Sequence, residues 1–434
     1  MKRHIYQAVA FVALAPMLLM AGCSSQSGTD QGGNSKKVTI QYWQYTYPTK
    51  VTEIKKLIKE FEHDNPNITV ETQDYPHDEF VNKVLAAQKA GVGPDVVNLY
   101  NGWIPQFVKQ KAIQPIPTDF MSKKEIQDYY VDAVQPEGTD GKYYSLPTAV
   151  RTLALLWNKD LFKKAGLDPN TPPQTWDELI ADAKKMTIRS SDGRLQQEGY
   201  GWNAGGQGYH TFEEVLLRQW GVVPFSQDGK KVLWNSSPAG LEAFKFWVEM
   251  ETKDKIGAPD FTTDYSTAFL AGKAGMIDDG SFRIGDLKTS KLNYGVTTLP
   301  VREIGGTQSN FVSYWTNALS SGISGAKLQA GEKWMKFLIS EDVQRDWLKN
   351  VGEIPASKAL LNDKSITADP TVAPFVEALK YAHTTPFVNE DASRASMINR
   401  TNEIILKGAS IEKTFDALVA EQQKICDGFY GAKG

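Results

Sequence analysis

Cysteine is almost missing from this 434-residue chain, which has only Cys23 and Cys426, and histidine is nearly as scarce. The five histidines, His4, His63, His77, His210 and His383, are scattered and give neither zinc-ligand spacing nor a His-based catalytic triad. His77-Asp78-Glu79 reads as the start of a helix, with acids favourable to its dipole. An excess of positive charge is absent too. A net charge of −3 argues against a nucleic-acid partner. The apolar run from Ala8 to Ala21 is too short and too sharply ended to cross a membrane. The glycine-rich Gly205-Gly206-Gln207-Gly208 lacks the lysine of a phosphate-binding loop. Glycoside hydrolysis needs two carboxylates on opposite sides of a bond, and the adjacent Asp278-Asp279 do not provide them. No internal repeat occurs, and the one low-complexity stretch is SSQSGTDQGGNSKK after Cys23.

What is present begins with a leader. Lys2-Arg3-His4 followed by Ala8 to Ala21 has the form of a secretory signal. Leu19-Met20-Ala21-Gly22-Cys23 resembles the bacterial lipobox, with Met20 where leucine is usual. The resemblance implies that residues 1–22 are a signal peptide and that Cys23 is acylated as the new N-terminus. Residues 23–37 then form a flexible polar tether, and the protein is anchored by lipid to the outer face of the bacterial cytoplasmic membrane. No intramolecular disulfide remains once Cys23 is acylated. Cys426 shares an apolar helix face with Leu418, Val419 and Ile425 and reads as a buried structural thiol.

With 41% hydrophobic residues the chain can fill more than one core, and single cores stop growing at roughly 250–300 residues, so two lobes are expected. The organising stretch is Tyr143 to Gly166. From Leu146 to Trp157 it is apolar without helical period, as in a strand buried on both faces; Asn158 then caps a short helix that Gly166 ends. Arg151 sits inside that apolar run, where an arginine must find a partner. Before it, Val38–Tyr47, a helix through Phe61, Ile68–Glu71, a helix through Leu85 and Pro94–Leu99 alternate as in a parallel α/β unit. Ligands bind beyond the carboxyl ends of such strands, which nominates the turns around Trp43-Tyr45 and Tyr100-Asn101. Thr175 and Glu178 stand at capping-box spacing. Phe311 to Leu319 reads as a strand, and the helical run from Lys327 to Asn350 breaks near Ser340.

Four segments in order, LPTAV with LLWNKDLFKKAG (146–166), TPPQTWDELIADAKKMT (171–187), FLAGKAGMIDDGSF (269–282) and SKLNYGVTTLP (290–300), resemble the family 1 extracellular solute-binding proteins of sugar ABC importers, the maltose-binding-protein-like group. The resemblance implies an α/β, two-lobed periplasmic-binding-protein-like fold of type II, with three crossing segments placed near Val150, Val296 and Ser340. Residues 38–150 and 297–339 then make the N-terminal lobe, and residues 151–296 and 340–434 the C-terminal lobe. It implies a monomeric binder rather than an enzyme, without cofactor or metal, whose partners are a carbohydrate and the permease subunits of a transporter with a cytoplasmic ATPase.

A sugar offers hydroxyl edges and apolar C–H faces, so its site needs aromatic platforms and fixed polar groups. Trp43 and Tyr45 are the first-lobe platforms, with core packing as the alternative for each. Asn101 could cap the helix beginning at Trp103 or bind a hydroxyl, and Tyr100 lies beside it. Tyr209 falls where the resemblance puts a ligand-facing tyrosine, and Phe282 where relatives usually carry tryptophan. Asp279 could accept hydroxyls, with Asp278 turned the other way. Trp315 is a further platform. Arg394, on the C-terminal helices, could also reach the ligand, with a helix-surface arginine as the favoured reading. At Arg151 the maltose-binding relatives carry a glutamate, so the hinge contact is reversed in polarity, and its acceptors are either ligand oxygens or a carboxylate such as Asp279. Two other classes stay open: a binder of a non-sugar solute and, more remotely, a secreted glycoside hydrolase.

Overall fold

A single thirteen-residue strand, Leu146–Asn158, ties the molecule together. The computed structural model describes residues 37–134, 140–259, 261–262 and 264–431; the leader, Cys23 and the tether up to residue 36 lie outside the described residues. In chain order the strands are β1 (Val38–Tyr45), β2 (Ile68–Tyr75), β3 (Val96–Tyr100), β4 (Leu146–Asn158), β5 (Ile188–Arg189), β6 (Leu195–Tyr200), β7 (Ala274–Gly280), β8 (Tyr294–Thr297), β9 (Asn310–Leu319), β10 (Ile354–Pro355) and β11 (Ala382–His383). They join in the order β2-β1-β3-β9-β4-β7-β6-β5, with β8 and β10 also on β4 and β11 on β9.

β1 runs parallel to both β2 and β3, the βαβαβ unit expected from the alternating pattern, and the helices Pro48–Asp64 and His77–Lys89 make its crossovers. β4 shows the period of two at its clearest. Leu153, Leu155 and Trp157 join one hydrophobic core with Trp176, Phe212 and Trp247. Ala154 and Leu156, on the opposite face, join a second core that runs through Ile40, Phe61 and Trp334. A strand with both faces covered cannot show the polar alternation of a surface strand, which is why its sequence is a near-continuous apolar run.

β4 changes partners along its length, and that change marks the passage between lobes. Residues Leu146 to Thr152 pair with β9, and from Leu153 onward the neighbours are β7 and β8. The crossing therefore falls at Thr152 and Leu153, just past Val150. Val296 lies in β8 beside Leu156, wholly on the second-lobe side, and the second crossing occurs at the start of β9, where Phe311 stacks on His210 of the second lobe. Ser340 does separate two helices, Gly325–Leu338 and Glu341–Asn350. The second of these was expected with the C-terminal lobe. It packs instead on the first-lobe helix Pro48–Asp64, with Asn350 Nδ2 donating to Glu53 Oε2 at 2.8 Å. An amphipathic pattern records that a helix face is buried, not which lobe buries it. The return passage lies between β10, which pairs with Val150, and β11, which pairs with Asn310 and Phe311.

The local chemistry read from the sequence is in place. Thr175 and Glu178 form a reciprocal capping box. Asn158 Oδ1 caps the helix Lys159–Lys164. Cys426 is buried with Leu418 and Val419 in the core that holds Trp176 and Trp247.

Candidate functional site

Where the crossing strands meet the second lobe there is a cavity of about 250 Å³ lined from both lobes. Strand register assembles its first-lobe wall. Tyr100 on β3 and Ala149 on β4 both stand opposite Trp315 on β9, and Arg151 stands opposite Ser313. Tyr45, at the end of β1, stacks on Trp315 with ring centroids 3.7 Å apart and planes 14° from parallel, and Tyr100 lies 5.6 Å from the same indole. Phe282, in the turn after β7, closes the opposite side. The Arg151 guanidinium lies 4.6 Å from the Phe282 ring centre and 5.7 Å from that of Trp315, bridging the two aromatic walls. Tyr45, Tyr100, Arg151, Phe282 and Trp315 all line the cavity.

Arg151 is held by Glu353, not by Asp279. Its guanidinium forms an ion pair with Glu353, which also pairs with Lys50 Nζ at 3.1 Å and accepts from Trp347 Nε1 at 2.7 Å. β10 pairs antiparallel with β4 at Val150, so the residue just before β10 arrives beside Arg151. Burial alone would raise the Glu353 carboxyl; the Arg151 and Lys50 charges overturn that and hold it below its usual value. Burial pushes the Lys50 amine well below its own, and Lys50 sits 4.5 Å above the Trp315 ring. Arg151 and Lys50 thus share one buried carboxylate.

Four expected site residues do other work. Trp43 is 5% exposed and packs against Tyr75, two residues short of the strand end that delivers Tyr45. Asn101 neither caps a helix nor reaches the cavity, because its Oδ1 accepts the Tyr314 backbone N–H at 3.1 Å and fixes the turn to β9. Asp279 is fully buried and accepts from Arg283 Nε at 2.9 Å. Its neighbour Asp278 does face the other way, accepting from the Tyr200 hydroxyl at 2.7 Å and from Thr211. Tyr209 is fully buried, with the Arg394 guanidinium 5.3 Å over its ring, so Arg394 stands between it and the cavity.

Arg394 itself is the largest departure from expectation. It is no surface arginine: it lines the cavity, donates to the carbonyls of Gly205 and Gly206, pairs with Glu390 and reaches His210 Nε2 at 3.1 Å. That contact makes Nε2 the acceptor and leaves the proton on Nδ1. His210 lies flat on Phe311 at 3.8 Å, and burial lowers it to about 4, so it is neutral at pH 7. Burial would raise Glu390, but the Arg394 charge takes it down to about 2. Glu390 and Arg394 carry a legible i,i+4 signal on the helix Glu390–Lys407, yet that spacing also marks an ordinary exposed pair. His77, read as a helix start, both begins the helix and lines the cavity, its ring 5.9 Å from Tyr45. Among the described residues no cluster of three or more His, Cys, Asp or Glu could hold a metal ion.

The family described as bacterial extracellular solute-binding protein matches residues 56–374. A maltotriose-binding protein of Pyrococcus abyssi is 26% identical over 81% of this chain and 73% of its own. The sn-glycerol-3-phosphate-binding periplasmic protein of Escherichia coli K12 is 27% identical over 75% of this chain and 76% of its own. Among solved structures, a cyclic alpha-maltosyl-1,6-maltose binding protein from Arthrobacter globiformis superposes with a TM-score of 0.75 at 22% identity, covering 90% of this chain and all of that one.

Proposed function

Because this chain belongs to the bacterial extracellular solute-binding proteins, we propose that it captures a neutral sugar or short oligosaccharide in the cavity between its lobes and delivers it to an ABC permease for import. In this reading Cys23 carries the lipid that keeps the protein outside the membrane, and the lobes close about the three crossings to bury the ligand. The observation that carries it is the Tyr45–Trp315 stack facing Phe282 across the Arg151 guanidinium. Flat apolar surface for C–H faces stands beside fixed polar groups for hydroxyls. A volume of about 250 Å³ lies just under the ~300–1,000 Å³ of most ligand pockets, which suits one or two sugar rings.

A phosphate-bearing ligand is the second reading, favoured by two arginines in the cavity and by the glycerol-phosphate-binding relative. Each arginine, however, already has its own carboxylate, Glu353 or Glu390, and Asp391 adds another negative charge to the lining. Such a site has little net positive charge to offer a phosphate. A thermal-shift panel of neutral mono-, di- and trisaccharides with glycerol 3-phosphate decides between them, since a ligand of the folded state raises the melting temperature by mass action. Stabilisation by a neutral sugar is expected. A response to glycerol 3-phosphate alone would overturn the sugar reading.

A further inference from the structure

A second cavity, of about 550 Å³, lies behind the Gly205–Gly206 turn and shares no lining residue with the first. It is lined by Glu198 and Trp202 from the β6 end, Asn203, Tyr265, and Ile398 and Asn402 from the helix Glu390–Lys407. Glu198 and Trp202 are 1% and 2% exposed. Glu198 Oε1, Trp202 Nε1 and Asn203 Nδ2 are buried polar atoms with no hydrogen-bond partner among the described residues. Nearly all such atoms in folded proteins are paired, so three together around one cavity call for an occupant.

The chemistry of the three narrows what that occupant is. An indole N–H and an amide NH₂ only donate, so the ligand must offer acceptors at two fixed points. Burial, with the charge of Glu251 adding to it and a hydrogen bond from the Ala258 backbone opposing, pushes the Glu198 carboxyl up to about 8. At neutral pH it is mainly an uncharged acid that can both donate and accept. A carboxylate or phosphate would satisfy the donors but would face Asp264 on the same lining; an ammonium would leave the two N–H groups unpaired. Hydroxyl groups donate and accept, and the Trp202, Tyr265 and Ile398 side chains supply apolar surface for a ring.

We propose that this cavity is a second binding site, for a neutral polyhydroxylated ring the size of a mono- or disaccharide. The Gly205–Gly206 turn links it to Arg394, which lines the main cavity. Asn203 Oδ1 accepts the backbone N–H groups of Gly205 and Gly206, and the carbonyls of those two glycines hold Arg394. A Cβ on Gly206 would come within 2.7 Å of the Tyr265 ring and 2.8 Å of Asn203 Oδ1, so only glycine keeps the wall this close. One amide therefore shapes the turn with its oxygen while its nitrogen serves the second cavity, and occupancy there is transmitted to Arg394.

The test follows the Trp202 indole N–H resonance, assigned with Trp202→Phe, in ¹⁵N-labelled mature protein carrying Trp315→Ala to disable the main cavity. Glucose, galactose, mannose and maltose are titrated in turn. A saturable shift of the Trp202 signal with at least one of them is expected, weakened by Glu198→Gln and abolished by Asn402→Trp, which fills the cavity from a half-exposed helix position. No saturable shift with any of the four sugars overturns the proposal. So does a shift seen in protein with Trp315 intact that disappears on Trp315→Ala, since it would report the main cavity.

Discussion

Asn310 grips Leu153 by both of its backbone groups: Oδ1 accepts the Leu153 N–H at 2.9 Å and Nδ2 donates to the Leu153 carbonyl at 2.9 Å. The pair sits where the β4–β9 ladder ends at Thr152 and where both strands pass between lobes. A side-chain amide there replaces a rung of the ladder. Asn310→Ala should leave two buried backbone groups without that partner and cost roughly 2 to 6 kcal/mol, at about 1 to 3 for each, measured by urea denaturation. A variant as stable as the parent would mean that water serves equally well at this joint.

Removing Glu353 should harm the fold more than removing Arg151. Glu353→Gln strands two buried cations, Lys50 and Arg151, and breaking a buried pair in this way costs about 3 to 5 kcal/mol. Arg151→Ala leaves Glu353 still paired with Lys50 and should cost less. Denaturation midpoints at neutral pH for the two variants give the order directly, and the reverse order would show that Lys50 is uncharged in the folded protein.

Sequence reasoning reached the long buried strand, its capped helix and the parallel unit before it, because each rests on local periodicity and capping. It singled out Tyr45 from its place at the end of a β-prone run and Trp315 as a further aromatic platform, and both line the cavity. It missed Glu353, since nothing in the run from Val351 to Ile354 announces that a loop will land beside Arg151; that contact exists only through the pairing of β10 with β4. Trp43 and Tyr45 look alike in sequence and share one face of β1, and only their tertiary partners tell core from cavity: Trp43 packs on Tyr75, Tyr45 on Trp315. Arg394 was weighed but set below a surface reading because i,i+4 spacing is common to exposed and inserted pairs, while its depth is set by the distant Gly205–Gly206 turn.

For ligand capture, Trp315→Ala should weaken binding of the sugar found in the thermal panel by about 2 kcal/mol or more, the loss typical of a buried aromatic anchor. Trp43→Phe should leave affinity unchanged, since Trp43 is buried and does not line the cavity. Titration calorimetry on both variants checks this, and equal losses would mean the tryptophans act only through lobe stability.

Acid and alkali should destabilise the fold through different residues. His210, lowered from 6.5 to about 4 by burial, binds a proton more readily when unfolded, so its contribution is complete above pH 6.5 and is lost as pH falls towards 4. Glu198, raised from 4.5 to about 8, acts in the opposite sense: its contribution is full below pH 4.5 and is lost as pH rises through 8. His210→Gln should flatten the acid limb of a plot of melting temperature against pH, and Glu198→Gln the alkaline limb. Parallel curves for variants and parent would remove both groups from the account.

Anchoring is checked in cells. Cys23→Ala should appear in the medium or persist as an uncleaved precursor, whereas the parent should partition with membranes and label with a fatty-acid analogue. Parent protein found free in the cytoplasm would refute the lipid anchor.

The local neutralisation of both cavity arginines by Glu353 and Glu390 bears on how the protein meets its surroundings. A site that drew its ligand by unbalanced charge would lose affinity as dissolved ions shielded it, over a Debye length that shrinks from ~30 Å at 0.01 M to ~3 Å at 1 M. Here each guanidinium carries its counterion within the fold, shielded from the medium by burial. Capture governed by stacking and short hydrogen bonds would then hold nearly constant from dilute fresh water to brine, which fits a collector whose surroundings no cytoplasm buffers.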